Sequence, residues 1–449
     1  MFCYMVSVIY LFLSARRLTQ DSRASFVGTL LFILNPNILY VQATPLSESV
    51  CIAMIVFTCY YFLAWTQDNH IKHLVGMAAG CFLATLARYD GWGLFLVLLV
   101  SIVVVAWIKR QRWEQIESNL LVFGTLGALG IGLWMLWCWV IFGDPLYFHN
   151  FTFALTKGTH LANTSFYTYH NMRESIYAYM ILSIKTVGPI LFVLAFIAVV
   201  VFVFRFRRMP STIVGAVVFL TPFAFYFLTF YTGQVTIYLP GVGTVNEAYG
   251  LWNVRFGTQA VAPAAFFLSI LAMRWSITRL ARLWGIVGSI VLVISICIQT
   301  ILIAHGGILP LQDGQYGYSC LPTEPITIYL AQHYAGGRIL EDISDYRIIE
   351  AEVEAAELKD FIYEGSSDMW KQALINPPSV VDWIIVPPEA QDDPIVRHIN
   401  LKSPAFLSHF TLMLHEPDGL SLFHRNGGPL TTRPIASSLI TEHRLCSAL

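Results

Sequence analysis

Ten long apolar stretches fill the first 304 of 449 residues and leave this chain few ways to fold. They run at 1–15, 25–42, 48–65, 74–88, 92–107, 118–142, 176–204, 211–231, 257–273 and 285–303. A helix needs about 20 predominantly apolar residues to cross a bilayer. Lipid cannot satisfy an open backbone, and barrel strands alternate rather than run uniformly apolar, so helices are the expected form. The sequence predicts an all-α polytopic membrane bundle of about ten transmembrane helices over 1–304. A small α/β extracytoplasmic domain follows at 305–425, and a disordered tail at 426–449.

Two of these spans come from splitting longer runs, 25–65 at Thr44–Glu48 and 74–107 at Arg88–Gly91. Lys and Arg accumulate in cytoplasmic loops, and with both splits the basic clusters alternate. One side receives Arg16, Arg17 and Arg23; Lys72; Lys109, Arg110 and Arg112; Arg205, Arg207 and Arg208; and Arg274, Arg279 and Arg282. The other side's short loops receive Arg88, Lys157, Arg173 and Arg255. This topology puts 143–175, 232–256 and the C-terminal domain outside the cytoplasm, on a multi-pass protein of the cell membrane if the source is prokaryotic. It also puts Met1 outside, without a signal-peptide n-region. The expectation is that a further N-terminal segment, with at least one more span, precedes this sequence.

Only 12% of residues are charged, against about 25% in soluble domains. The net charge of −1 gives no reason to expect a nucleic-acid partner. Cys3, Cys51, Cys59, Cys81, Cys138 and Cys297 lie in apolar runs, where cysteine behaves as a small hydrophobe. Cys320 and Cys446 lie in the C-terminal region, and no cysteine spacing forms a metal motif. In that region 338–342, 382–386, 408–415 and 420–424 read as strands, the last two joined through Asp418-Gly419. Residues 347–363 have helical periodicity.

Burying an ionisable side chain at membrane depth is costly, so such residues are functional candidates. Glu48 opens the third span, where the helix macrodipole also favours a carboxylate. Arg88, Tyr89 and Asp90 interrupt an apolar run. Arg255 directly precedes the ninth span, as a snorkelling anchor or as a fixed cation suited to phosphate. Asp144 and His149 are weaker candidates, since Asp144 precedes a proline as turn residues do. The loop at 143–175 is rich in aromatics and holds His149, His160 and His170 without a recognised metal spacing. It also contains sequons at 150–152 and 163–165.

Four segments in order, NPNILYVQATPLSES at 35–49, LARYDGW at 86–92, FGDPLYF at 142–148 and WNVRFG at 252–257, resemble GT-C glycosyltransferases. The branch they resemble holds the protein O-mannosyltransferases and the lipid A aminoarabinose transferases. The resemblance covers most of 25–270. It implies transfer of a sugar from a polyprenyl-phosphate donor to an acceptor, of unknown identity, on the non-cytoplasmic face. Arg255 would hold the carrier phosphate, Arg88 and Asp90 would line the cavity, and Glu48 would sit near the donor or an optional divalent metal ion. Membrane lipids are the other expected partner. The family's catalytic acid lies in a first outer loop that this sequence does not contain: the sequence is truncated, or is that of an inactive relative, or Asp90 or Glu48 has taken over the role, so no catalytic base is assigned. Two other classes stay open: a secondary transporter or lipid flippase, and a catalytically inactive accessory subunit.

Overall fold

The structure is a computed structural model of residues 1–449. It describes all but 151–166, 236, 240–241, 243–250, 252, 274–278, 320–324, 343–355, 387–392, 418 and 435–449, and no side chains at 149–150, 279–282, 284 and 316–319. The chain divides into two compact units. One holds Met1–Trp134 with Tyr167–Gly317, the other Met135–Phe166 with Tyr318–Leu449.

The first unit is helical. Its elements are α1 (Phe2–Thr19), α2 (Ser22–Leu34), α3 (Pro36–Ala43), α4 (Ser47–Asp68), α5 (Ile71–Ala87) and α6 (Asp90–Ile108). Then come α7 (Trp113–Phe142), which runs on past Trp134, the short α8 (Tyr147–Asn150) of the second unit, α9 (Met172–Val187), α10 (Pro189–Phe206), α11 (Pro210–Val217) and α12 (Thr221–Tyr231). A 3-10 helix, Val254–Ala260, leads into α13 (Val261–Ala272), followed by α14 (Arg279–Gly306) and α15 (Leu309–Ser319). Helix α13, with its 3-10 lead, is the most enclosed of these apolar spans, almost all of it buried. It packs on α1, α2, α10 and α14.

The span count differs from the expected ten. Eight helical segments among the described residues are long and apolar enough to cross a membrane, nine if α2 and α3 count as one bent span. The expected span at 25–42 is broken by 60° between Leu34 and Pro36. The one at 74–88 is a short apolar helix of 17 residues, at the lower end of the length that crosses a bilayer. The stretch 176–204 is two helices, α9 and α10, rather than one.

The breaks have local causes. Pro36 removes an N–H and holds Asn35 extended, and Asn35 then caps α3 by accepting from the N–H groups of Asn37 and Ile38. Between α9 and α10, Gly188 sits at φ +98°, and Pro189 cannot continue the hydrogen-bond ladder. A Cβ at Gly188 would overlap the Gln299 side chain of α14.

The two breaks meet. Asn35 Nδ2 and Asn37 Nδ2 both donate to the Thr186 carbonyl, at 2.9 and 3.1 Å, satisfying an acceptor orphaned at the end of α9. Asn37 Oδ1 accepts the Leu309 N–H at 3.0 Å and so anchors the start of α15. Each group in this node is buried, where an unmade hydrogen bond costs about 1–3 kcal/mol. The node therefore fixes α3, α9 and α15 against one another.

The second unit contains a five-stranded sheet in the order β2-β1-β3-β5-β4, built from β1 (Ile339–Leu340), β2 (Phe361–Ile362), β3 (Trp383–Val386), β4 (Phe410–His415) and β5 (Ser421–Arg425). Strands β2, β1 and β3 are parallel, while β5 and β4 are antiparallel. Leu340, Ile362, Ile384, Trp370 and Phe423 share its core. The four expected strands are present. The expected helix at 347–363 lies partly outside the described residues; its end is instead a 3-10 turn, Leu358–Asp360, followed by β2. Residues 426–434 are tied back, with the Thr431 N–H donating to His333 O and the Arg433 N–H to Gln332 O. Residues 435–449 of the expected tail, Cys320, Cys446 and the two sequons lie outside the described residues, apart from the backbone of Asn150.

Candidate functional site

Glu48, Arg88, Asp90 and Arg255 come together at one end of the first unit. Glu48 lies in the first turn of α4 and is 1% exposed. Burying its charge that deeply is costly unless it is paired and hydrogen-bonded. It is paired twice through the same atom: Arg88 Nη1 donates to Glu48 Oε1 at 2.8 Å and Arg255 Nε at 2.9 Å. Arg88 also reaches Ser47 Oγ at 3.2 Å and, through Nε, Asp90 Oδ2 at 2.9 Å.

Local sequence makes this possible. Arg88 is the extended C-cap residue of α5, and Asp90 sits in the first turn of α6, so the break in LARYDGW holds two opposite charges side by side. Gly91 works there by close approach: a Cβ would collide with the backbone of Ala84. Tyr89 is 44% exposed and meets Trp92 and Trp134 edge-on, with ring centroids 5.2 and 6.5 Å apart.

Sequence reasoning missed three members of the cluster. Asp313, on α15 and 9% exposed, places Oδ2 3.8 Å from Arg255 Nη1. Its carboxylate also lies near the backbone N–H groups of Asn253, Val254 and Arg255, at the start of the 3-10 helix. Phe256 lies under both guanidinium groups, 5.1 Å from Arg88 Cζ and 5.4 Å from Arg255 Cζ. Such contacts add about 0.5–2 kcal/mol each. Tyr226 stacks on Phe256 at 5.2 Å and stands beside Asp90. Asp313 in LPLQDGQYG carried a signal, being the first charge after the last apolar run, whereas Phe256 and Tyr226 are indistinguishable in sequence from the surrounding aromatics.

Two guanidinium groups thus face three carboxylates over an aromatic floor. Glu48 and Asp90 are buried and hydrogen-bonded to the arginines. Arg255 is the more open cation, its side chain 35% exposed against 18% for Arg88.

The weaker candidates do not join this description. Asp144 accepts from the Leu146 N–H at 2.8 Å, stabilising the turn after α7, and belongs to the second unit. The side chain of His149 and the motif residue Trp252 lie outside the described residues. Among the described residues no group of three or more His, Cys, Asp or Glu side chains is arranged to hold a metal ion.

The opposite ends of the same helices carry a second polar set. Asp68 binds Arg17 Nη2 at 2.7 Å and His73 Nδ1 at 2.8 Å, and Lys109 Nζ donates to Asn69 Oδ1 at 2.8 Å. The bundle is polar and basic at this end and has the arginine–carboxylate cluster at the other.

A helical bundle with several long apolar spans and a buried arginine–carboxylate cluster at one end has the make-up of a multi-pass membrane protein. Residues 1–141 match the model of the dolichyl-phosphate-mannose-protein mannosyltransferase family, a family of membrane glycosyltransferases. The matched stretch includes Glu48, Arg88 and Asp90, while Arg255 and Asp313 lie beyond it. No curated protein matches the chain.

Proposed function

We propose that this chain is a membrane glycosyltransferase that moves a sugar from a polyprenyl-phosphate donor to an acceptor on the non-cytoplasmic face. The single observation behind this reading is the fixed, partly open Arg255 guanidinium beside Arg88 at one end of the bundle. The phosphate is the leaving group, and a preorganised cation that stabilises its developing charge lowers the barrier. Arginine suits the role because it stays charged and offers a rigid fork of donors.

The family match over 1–141 supports the reaction class. Sidedness is supported by the basic loops at the opposite end, which follow the cytoplasmic pattern. That topology makes the C-terminal α/β domain extracytoplasmic. Glu48 and Asp90 act by positioning the arginines.

The test is sugar transfer by membranes containing the chain, supplied with a radiolabelled polyprenyl-phosphate sugar. Transfer that falls at Arg255→Ala, with membrane insertion intact, supports the reading. Equal transfer by wild type and Arg255→Ala removes Arg255 from it, and movement of the labelled lipid across vesicles without sugar transfer replaces the enzyme by a flippase.

A further inference from the structure

We infer that Asp313 is the positioning residue for Arg255, setting the orientation in which that guanidinium meets a phosphate. The inference rests on the phosphate role proposed above for Arg255. Asp313 acts on Arg255 by two routes. Along the backbone, its carboxylate lies near the N–H groups of Asn253, Val254 and Arg255. Asn253 is in the left-handed region at φ +57°, which turns the chain there. The acidic group thus stands beside the turn from which the Arg255 side chain departs.

Through space, Asp313 Oδ2 lies 3.8 Å from Arg255 Nη1, while Arg255 Nε is held by Glu48 at 2.9 Å. The guanidinium is bounded on two edges by two carboxylates from different helices. Oδ2 itself makes no hydrogen bond among the described residues, so its interaction with Arg255 is one of charge and shape.

Asp313 is in turn placed from a distance. The first N–H of α15 is held by Asn37, which also binds the end of α9. The carboxylate is therefore delivered by the same node that breaks the helices. A negative charge beside a phosphate-binding arginine repels the ligand, so its presence there favours binding only if it orients the arginine.

That opposition of signs gives the test. The full chain in detergent micelles is titrated with farnesyl phosphate, with farnesol as the uncharged control, for wild type, Asp313→Asn and Asp313→Glu. Wild type is expected to prefer the phosphate. Asp313→Asn is expected to lower that preference about tenfold, because small misplacements of a binding group are costly, and Asp313→Glu to recover part of it. A carboxylate acting only as a nearby charge gives the reverse, so equal or tighter phosphate binding by Asp313→Asn overturns the inference. Should Asp313→Asn fail to fold, Asp313→Glu decides: a reduced preference supports the positioning role and a full one overturns it. A wild type that binds farnesol as well as farnesyl phosphate removes the phosphate role of Arg255, and this inference with it.

Discussion

Arg255 Nε donates to Glu48 Oε1 at 2.9 Å across 207 positions of the chain. The bond joins the start of α4 to the 3-10 helix that leads into the most enclosed span. Arg88 occupies the same oxygen from a third direction. One buried carboxylate therefore sets the distance between two cations that would otherwise repel each other.

Removing that carboxylate is expected to be severe. Glu48→Ala leaves two guanidinium groups without their shared partner, and breaking a buried pair costs about 3–5 kcal/mol. The thermal-unfolding midpoint in detergent should drop markedly. An unchanged midpoint would mean that the cluster does not hold α4 to the 3-10 helix.

Arg255 is expected to separate function from folding. Its side chain is partly open, and Arg88 still pairs Glu48 without it, so Arg255→Ala should leave most of the protein in the membrane fraction. Sugar transfer should fall by about 10²–10³, the usual effect of deleting one preorganised donor. Arg255→Lys keeps the charge without the fork and should retain a small part of the activity. Full activity in the lysine variant would show that only charge matters at this position.

The node of helix breaks predicts a second destabilising change, remote from the ion pairs. Asn37→Ala strands the buried Leu309 N–H and removes one of two donors from the Thr186 carbonyl, at about 1–3 kcal/mol. Amide exchange measured by mass spectrometry should accelerate in 309–317 and hardly change in α6. Uniform acceleration throughout the bundle would contradict a local anchoring role.

The C-terminal unit has its own pH dependence. Burial, together with the neighbouring Asp342, pushes the Asp393 carboxyl up to about 7. Its folded pKa thus lies above the unfolded value near 4, and between them the folded state holds a proton that the unfolded state has lost. The stabilising contribution is complete below about pH 4 and is lost as pH rises toward 7, with a slope of at most about 1.4 kcal/mol per unit. Asp393 Oδ1 also accepts from the Val396 N–H at 2.9 Å, a contact that asparagine can keep. Amide exchange in β1 and β3, corrected for intrinsic rates, should therefore rise from pH 5 to 7 in wild type and not in Asp393→Asn. The same rise in both would assign it to another group.

Much of this protein was legible without coordinates. Apolar runs separated by charged turns mark the helices, because a side chain's preference for lipid or water is a local property. Short strand-like runs bounded by turn residues or prolines marked the four strands. Glu48, Arg88, Asp90 and Arg255 stood out because each is a charge where charge is expensive.

Other features depended on partners remote in sequence. Asn35-Pro36 and Gly188-Pro189 signal breaks, but whether a run stays one span depends on whether its freed backbone groups find partners. The Thr186 carbonyl finds Asn35 and Asn37 roughly 150 positions away. Asp313 reads as an ordinary residue after the last span until α15 carries its carboxylate to residues 253–255. The sequence by itself determined which segments are apolar and which charges are costly, since both follow from the chemistry of single residues. The tertiary structure alone decided which carboxylate holds which arginine, because an ion pair depends on distance in space.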